Sequence, residues 1–431
     1  MLINNIIWNV AFVFAIAFIV CYAYQFVYVL IGLFHKPKEY TEVKKNRFAI
    51  LISARNEESV IRDLLNTIAN QTYPAELVDT YVIADNCTDS TAEICRQCGA
   101  IVYERFNKEK VGKGYALEVM FDNIYAEKGH DYYDGFFVFD ADNLLEPDFI
   151  EEMNKTFSEG YKIITSYRNS KNYGSNWISA GYALWFLREA KYLNNSRSII
   201  GTSGAISGTG FLVHKDIMNK TNGWKYFLLT EDLELTISNV IDGERVGYCH
   251  KAMLYDEQPE TFATSWNQRL RWAKGFLQIF AKYGKTIIAG IFKSKGWRKK
   301  FSCYDLTATV FPMIFVTLFT FLLYAVLFTR AIIGGVSAGD YTELIHFAKS
   351  AGAGILGGYL TLFIMGLVTV VTEWKTINTT SSKKIFYLFT FPIYMATWIP
   401  IGVVALFKKV EWKPIKHGVS TNIDDIKKNK K

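Results

Sequence analysis

The segment from Ile6 to Phe34 contains no charged residue, and that absence is the first constraint on the chain. A charge-free stretch longer than the roughly 20 residues that cross a bilayer reads as one tilted transmembrane helix. It lacks the basic start, the short apolar run and the small-residue cleavage pattern of a secretion signal, which argues against that reading. Cysteine is sparse: six are scattered through 431 residues. The single CxxC, Cys95 and Cys98, has no second pair with which to complete a four-ligand zinc site, so these residues read as buried or free thiols. No internal repeat is present, and the one low-complexity segment is the lysine-rich tail, which reads as disordered. The net charge of +7 is modest and gathers beside apolar segments, at Lys293, Lys295, Arg298, Lys299 and Lys300, where acidic lipid headgroups would lie. A membrane lipid is therefore an expected partner, and nucleic acid is not.

What is there divides the chain into parts. Half of the residues are apolar, crowded toward both ends around a polar middle. Lys36, Lys38, Lys44, Lys45 and Arg47 follow the first apolar segment, so the positive-inside rule puts the middle in the cytoplasm and the N-terminus outside. The expected organisation is an N-terminal transmembrane helix over 1–35, a cytoplasmic domain over 36–282 and a basic amphipathic interfacial region over 283–303. A C-terminal transmembrane region over 304–407 and a basic cytoplasmic tail over 408–431 complete it. Apolar runs at 304–333, 352–371 and 385–407 would, as three full crossings, leave the tail outside. That tail carries Lys408, Lys409, Lys413 and Lys416, which belong inside. Pro392 and Pro400 break helical hydrogen bonds, so the last run is expected to be broken or re-entrant, buried against protein. The expected location is the cell membrane, crossed several times.

Within the middle, short β-rich runs alternate with helix-length ones: FAILISA at 48–54, VDTYVIAD at 78–85, AIVYERF at 100–106 and GFFVFDAD at 135–142. This is the pattern of βαβ units and a mainly parallel, Rossmann-like α/β sheet. Such sheets bind ligands beyond the carboxyl ends of their strands. Asn56, Asp85 and Asp140 all fall there, on one rim.

Asp140 and Asp142 stand one residue apart after the apolar run FFVF, where two carboxylates can share a divalent cation with diphosphate oxygens. Hard oxygen ligands suit Mg2+ or Mn2+, and a solvated turn is the alternative. Asp85 in ADNCTD can accept from the N–H of a base or close an Asx-turn; Asp89 and Ser90 read better as the start of a helix. Lys113, between Gly112 and Gly114, can meet phosphate as a point charge or sit in a plain turn. The GKG run lacks the hydroxyl residue and spacing of a P-loop, which argues against nucleoside triphosphate hydrolysis. Asp232 follows an apolar run, and a carboxylate partly withdrawn from water gains proton affinity useful in a general base. It fits equally a helix N-terminus favoured by the dipole, as do Glu231 and Glu234. Gln268, Arg271 and Trp272 share one helix face. The guanidinium suits bidentate phosphate and the indole a sugar ring, or the pair anchors to headgroups. Each motif alone is weak, and their order across one domain is what carries weight.

SARNEE at 53–58, ADNCTD at 84–89, GKG at 112–114, DAD at 140–142, TED at 230–232 and QRLRW at 268–272 together resemble a membrane-integrated family 2 glycosyltransferase. The resemblance is to the processive type, similar to cellulose, mixed-linkage β-glucan, hyaluronan and poly-N-acetylglucosamine synthases. It covers about residues 1–415 and implies a GT-A fold flanked by transmembrane and interfacial helices. By the same resemblance Glu57 and Asp85 contact uridine, Lys113 the diphosphate, and Asp140 and Asp142 the nucleotide and metal. Asp232 is the base that inverts the anomeric centre of a UDP-sugar donor, and Arg271 stabilises departing UDP. Gln268, Trp272, Glu231 and Thr209 lie on the acceptor side. The run SGTGF at 207–211 departs from the Cys-Gly version of that acceptor loop in several cellulose synthases, which weakens the case for cellulose. No segment resembling a cyclic-di-GMP-binding domain is expected after the last apolar run.

The implied activity is transfer of a sugar, glucose first, onto a growing β-glycan that passes through the membrane, with room for accessory subunits. A lipid glycosyltransferase acting on ceramide or diacylglycerol shares QxxRW, and product length separates the two. A non-catalytic scaffold would have no reason to keep Asp140, Asp142, Asp232 and Arg271.

Overall fold

A computed structural model of the chain describes residues 2–41, 44–310, 312–415, 418 and 421–428. At its centre is one eight-stranded sheet of order β3-β2-β1-β4-β7-β6-β8-β5. The four runs predicted from sequence are its first half: β1 (Phe48–Ala54), β2 (Val78–Asp85), β3 (Ile101–Arg105) and β4 (Gly135–Asp140), all parallel. The other strands are β5 (Leu144–Leu145), β6 (Ile163–Ser170), β7 (Phe211–His214) and β8 (Val246–Asp256). β7 runs antiparallel to both β4 and β6, β6 and β8 are parallel, and β5 closes the edge against β8. The sheet is thus mixed and mainly parallel. Register aligns Ala54 with Ala84 and Ser53 with Asp140, so the carboxyl ends of β1, β2 and β4 form one line.

β1 is apolar on both faces because both are covered, as central parallel strands require. Phe48, Ile50 and Ile52 enter one core and Ala49 and Leu51 the other, all fully buried. In chain order the first helices are α1 (Leu2–Tyr22) and α2 (Tyr24–Phe34). On one face of the sheet lie α3 (Ile61–Ala69), α4 (Thr91–Gln97) and, later, α6 (Phe149–Ser158). On the other lie α5 (Lys113–Lys128), α9 (Lys215–Lys220) and α10 (Glu231–Asp242). Between them α7 (Trp177–Arg188) continues through a π-helical turn, Glu189–Asn194, into α8 (Asn195–Ile200). The chain ends in α11 (Phe262–Lys293), α12 (Trp297–Val310), α13 (Pro312–Ala338), α14 (Thr342–Thr372), α15 (Ser381–Ala396), α16 (Trp398–Phe407) and α17 (Ile423–Lys428).

Among the described residues three stretches are long and apolar enough to cross a membrane: Phe12–Phe34, Thr342–Thr372 and Ser381–Phe407. The segment expected as one helix over 6–34 is α1 and α2, joined through Ala23, whose φ of −56° and ψ of −31° remain helical. Beside that joint the Tyr304 hydroxyl donates to the carbonyl of Cys21 at 2.7 Å. Tyr24 and Tyr28 on α2 donate to opposite oxygens of Asp305, which also pairs bidentately with Arg197. These bonds fasten α2 to α8 and α12.

The interfacial region expected from 283 is, over its first part, the end of α11, which runs unbroken from the QRLRW motif. The last apolar run is α15 and α16, separated by Thr397 alone, and taken together it is long enough to cross a membrane. Pro392 lies inside α15, while Pro400 sits in the first turn of α16, where a missing N–H costs little. Buried Arg269 on α11 donates to the Thr397 hydroxyl and the Tyr394 carbonyl at that junction. The tail departs from its disordered expectation over 423–428. α17 presses Ile423 and Ile426 against Leu144 and Tyr255, and Lys427 pairs with Glu146 at 2.8 Å. Lys416 and the last two lysines fall outside the described residues.

Candidate active site

At the end of β1 the chain turns through Asn56, whose φ of 58° is left-handed and whose side-chain oxygen accepts from the Thr88 N–H at 2.8 Å. That turn buries Glu57, whose own N–H donates to the Thr91 hydroxyl. At the end of β2, Asp85 is buried and paired at 2.5 Å with Arg105 from the neighbouring β3. Asn86, also left-handed, braces the same carboxylate at 3.0 Å. Arg105 is a partner the sequence reading did not supply. It ends the strand that lies against β2, a pairing visible only in register.

The GKG run is explained by close approach. Gly112 has a φ of 137°, and a Cβ on Gly114 would stand 2.2 Å from the Tyr226 carbonyl. α5 therefore starts where Lys113 reaches across the rim to Asp140 at 2.5 Å and the Gly208 carbonyl at 2.9 Å. Burial alone pulls the Lys113 ammonium down, but Asp140, Glu231 and Asp232 around it outweigh burial and hold it above its ordinary value. Asp142 is buried and accepts from the Glu257 N–H at 3.1 Å.

Thr209 takes a different place from the one expected. It is buried, donates to the Asn143 side chain and accepts from the Asp140 N–H at 2.8 Å. Thr209 thus holds the DAD turn and is not among the residues lining the cavity described below.

Asp232 stands in the first turn of α10 and accepts from the Gly208 N–H at 2.7 Å. Burial raises its proton affinity, while the N–H groups of Leu233 and Gly208, Lys113 and Arg271 partly oppose this. Adjacent Glu231 is raised as well, by burial first and then by the negative charge of Asp232. Two carboxylates so placed cannot both ionise easily. Glu234 has the helix-start role, accepting from the Phe227 and Leu228 N–H groups and pairing with Lys282.

α11 carries the other half of the site. Gly275 leaves room for Thr230, whose hydroxyl would stand 2.5 Å from a Cβ there, so the helix packs directly on the TED turn. Arg271 donates to the Leu229 carbonyl at 2.9 Å. The side-chain oxygen of Gln268 is buried with no partner. Trp272 stacks on Trp398 at 6.3 Å and 22° and meets Tyr182 and Phe186 edge-on.

One cavity of about 1720 Å³ joins these parts. Glu57, Asp85, Lys113, Asp140, Asp142, Glu231, Asp232, Gln268, Arg271 and Trp272 all line it. From the rim it continues between α1, α2, α13, α14, α15 and α16, past Ile19, Phe26, Met365, Ile399 and Val403. Pockets for small ligands usually hold about 300–1,000 Å³, so this one has room for two reactants. Sequence reasoning missed the contribution of Arg168, which pairs with buried Asp256 and donates to the Ser207 carbonyl at 2.7 Å. It also missed residues 412–415, which return across the polar end with the Trp412 ring 5.7 Å from the Arg55 guanidinium. No motif marks these residues, because long-range packing alone brings them in.

Asp140 and Asp142 fit a hard divalent cation in their donor chemistry. Both are oxygen donors on the cavity wall, and no group of three acidic, histidine or cysteine side chains arranged for a metal occurs among the described residues. Magnesium-type sites are commonly built from one or two carboxylates and completed by substrate phosphates.

Comparison with known proteins identifies the set. Residues 46–275 match the family described as glycosyltransferase like family 2. A protein named "Probable glycosyltransferase YdaM" from Bacillus subtilis is 25% identical over 399 residues, 86% of this chain and 85% of its own length. A β-monoglucosyldiacylglycerol synthase from Synechocystis is 26% identical over 59% of this chain, and the match spans 52% of that protein. A poly-β-1,6-N-acetyl-D-glucosamine synthase from Staphylococcus epidermidis is 26% identical over 60% of this chain and 59% of its own. Among solved structures, the mannosyltransferase PcManGT from Pyrobaculum calidifontis, in complex with GDP-Man and Mn2+, aligns over 93% of this chain and 99% of its own. Its TM-score is 0.61 at 14% identity, a likeness of fold. With a GT-A-like sheet, the motifs on its rim and a family match over more than half of its length, this chain belongs to glycosyltransferase family 2 and is a membrane-associated glycosyltransferase.

Proposed function

We propose that this enzyme takes a sugar, glucose in the first instance, from a UDP-sugar and places it with inversion on an acceptor held among its membrane helices, the catalytic domain facing the cytoplasm. The observation that carries this reading is the single cavity running from the rim of the sheet, past Asp232, into the space between the helices. In it Glu57 and Asp85 contact uridine and Lys113 the diphosphate. Asp140 and Asp142 hold the nucleotide and Mg2+ or Mn2+, and the Mn2+ in the Pyrobaculum structure is consistent with that. When bound, the cation offsets negative charge on the diphosphate. Asp232 takes the proton of the acceptor hydroxyl as that oxygen bonds to the anomeric carbon and the bond to UDP breaks. Its raised proton affinity suits the step. Arg271 pairs with the departing UDP, and Gln268, Trp272 and Glu231 hold the acceptor.

The acceptor in this reading is borne by a lipid. Beyond Trp272 the wall includes Ile355, Leu362, Met365, Val368 and Val403 beside Tyr324, Tyr359 and Thr361, so most of it offers a glycan little to hydrogen-bond. Relatives named monoglucosyldiacylglycerol synthases agree with a lipid acceptor and with glucose. The second reading is a processive β-glycan synthase. It is favoured by the ledge of Trp272 on Trp398, since flat rings carry sugars, and by the poly-N-acetylglucosamine synthase among the relatives. The test is incorporation of label from UDP-glucose, UDP-N-acetylglucosamine and UDP-glucuronic acid by purified protein with Mg2+ or Mn2+. Label in the organic extract, from UDP-glucose above the others, is expected. Label only in polymer would establish the second reading, and no label from any donor would contradict both.

A further inference from the structure

Two buried arginines line the cavity on its helix side, and among the described residues one of them has no carboxylate partner. Arg197 pairs with Asp305. Arg188, at the end of α7 and 3% exposed, has no ion pair among the described residues. One guanidinium nitrogen, Nη2, donates to the Gln25 side-chain oxygen on α2 at 2.6 Å. Its Nε is buried with no partner at all. The Trp185 ring, 5.4 Å away, backs the guanidinium plane. Burial pulls this arginine down to about 10, and the adjacent Glu189 is pushed toward its neutral form by burial as well. A guanidinium cannot shed its charge near neutral pH, and an unpaired charge inside a protein is strongly unfavourable unless an anion meets it.

Where this group stands decides what the anion belongs to. Glu189, next in the chain, accepts from the Ser207 hydroxyl at 3.2 Å, and the following Gly208 N–H holds Asp232. Arg188 therefore stands one short chain of bonds from the proposed base. The same cavity is lined by Phe26 and Val29 of α2 and by Met365 and Val368 of α14. A buried cation in a cavity with such apolar lining fits an amphiphile with an acidic head. A π-helical turn at this spot agrees with a functional position, where such turns concentrate.

We propose that Arg188, with Gln25 and Trp185, forms a subsite for the phosphate of an acidic lipid whose free head-group hydroxyl is presented to Asp232. The proposal rests on the lipid-acceptor reading above. The phosphate could in principle arrive on a soluble molecule, and the experiment separates that source.

The full chain in nonionic detergent micelles is given labelled donor and one of three acceptors: phosphatidylglycerol, diacylglycerol or free glycerol phosphate. Expected for wild type is a KM at least about tenfold lower for phosphatidylglycerol than for diacylglycerol, the size of one charge-assisted hydrogen bond. Arg188→Gln is expected to raise the phosphatidylglycerol KM by about tenfold or more with kcat nearly unchanged, and Arg188→Lys to restore most of the difference. Equal KM values for the acidic and neutral lipids in wild type overturn the proposal, as does an Arg188→Gln enzyme that keeps the wild-type preference. Should Arg188→Gln fail to fold, the wild-type comparison decides alone. Glycerol phosphate used as well as phosphatidylglycerol overturns the lipid source. Label in polymer with none in any lipid extract overturns the lipid-acceptor reading, and the subsite with it, a pattern distinct from equal use of two lipids.

Discussion

The two ends of the cavity are built by opposite rules. At the rim of the sheet the charged side chains are already paired: Asp85 with Arg105, Lys113 with Asp140, Asp256 with Arg168. On the helix side Gln268 and Arg188 keep buried atoms with no partner, in a wall that mixes apolar residues with Tyr22, Gln25, Tyr324 and Tyr359, and the Thr230 hydroxyl at the TED turn is unpartnered as well. Buried polar groups are nearly always satisfied in folded proteins, so exceptions call for an explanation. In the reading proposed above, a rim whose charges the protein itself pairs is pre-organised for the nucleotide, and the open polar atoms of the helix wall are completed by the acceptor.

The contrast is tested first where the two ends meet. Asp232→Asn is expected to lower sugar transfer by about 10²- to 10⁴-fold while UDP still binds, measured by calorimetry beside a transfer assay. Near wild-type transfer would remove Asp232 from the base role. At the rim, Arg105→Met leaves Asp85 buried without its cation and should cost about 3–5 kcal/mol of stability, visible as a lowered midpoint of denaturation. On the helix side, Gln268→Leu should change stability by less than about 1 kcal/mol, since no hydrogen bond is lost, yet raise the acceptor KM by about tenfold. Equal stability losses in these two variants would erase the contrast between the ends.

The smallest effect concerns pH. Glu231, pushed up to about 7, and Asp232 are both raised by burial in the folded protein. A raised carboxyl favours folding while protonated, and that contribution is lost as pH rises through the folded value. Transfer has the opposite requirement, because the base must be ionised, so the rate should fall on the acid side of neutrality. Removing one negative neighbour with Glu231→Gln should move that acid limb to lower pH and make stability less dependent on pH between the ordinary carboxyl range and about 7. An unmoved limb in the pH–rate profile would show that the two carboxyls do not act as a pair.

The nearer a residue stood to a strand end, the more of its role the sequence disclosed. FAILISA, VDTYVIAD and GFFVFD became β1, β2 and β4 because apolar runs bounded by turn residues have few other solutions, and their parallel register put Asn56, Asp85 and Asp140 on one rim. Asp232 and QRLRW were legible as types of chemistry. Their meeting depended on Gly275 letting α11 settle on the TED turn, which spacing does not reveal. Thr209 was expected to face the acceptor and instead braces the DAD turn, since a loop's position says nothing of which way its side chains point. Arg188, Arg269 and Arg105 carried no signal, because a buried arginine is recognised by its partners and those lie far away in sequence. The docking of α17 had one, Ile423 and Ile426 three apart, obscured by the surrounding lysines.

The central claim is that the acceptor reaches Asp232 through the chamber between the helices. Gly358 of α14 lines that chamber and has open space around the position of a Cβ. Transfer and UDP binding would be measured for Gly358→Trp in the same membrane preparation as wild type. The account predicts unchanged UDP binding with transfer reduced at least about tenfold, as expected when a positioned reactant is displaced. Transfer at the wild-type rate with the indole in place would contradict it, and would mean that the acceptor arrives by another route.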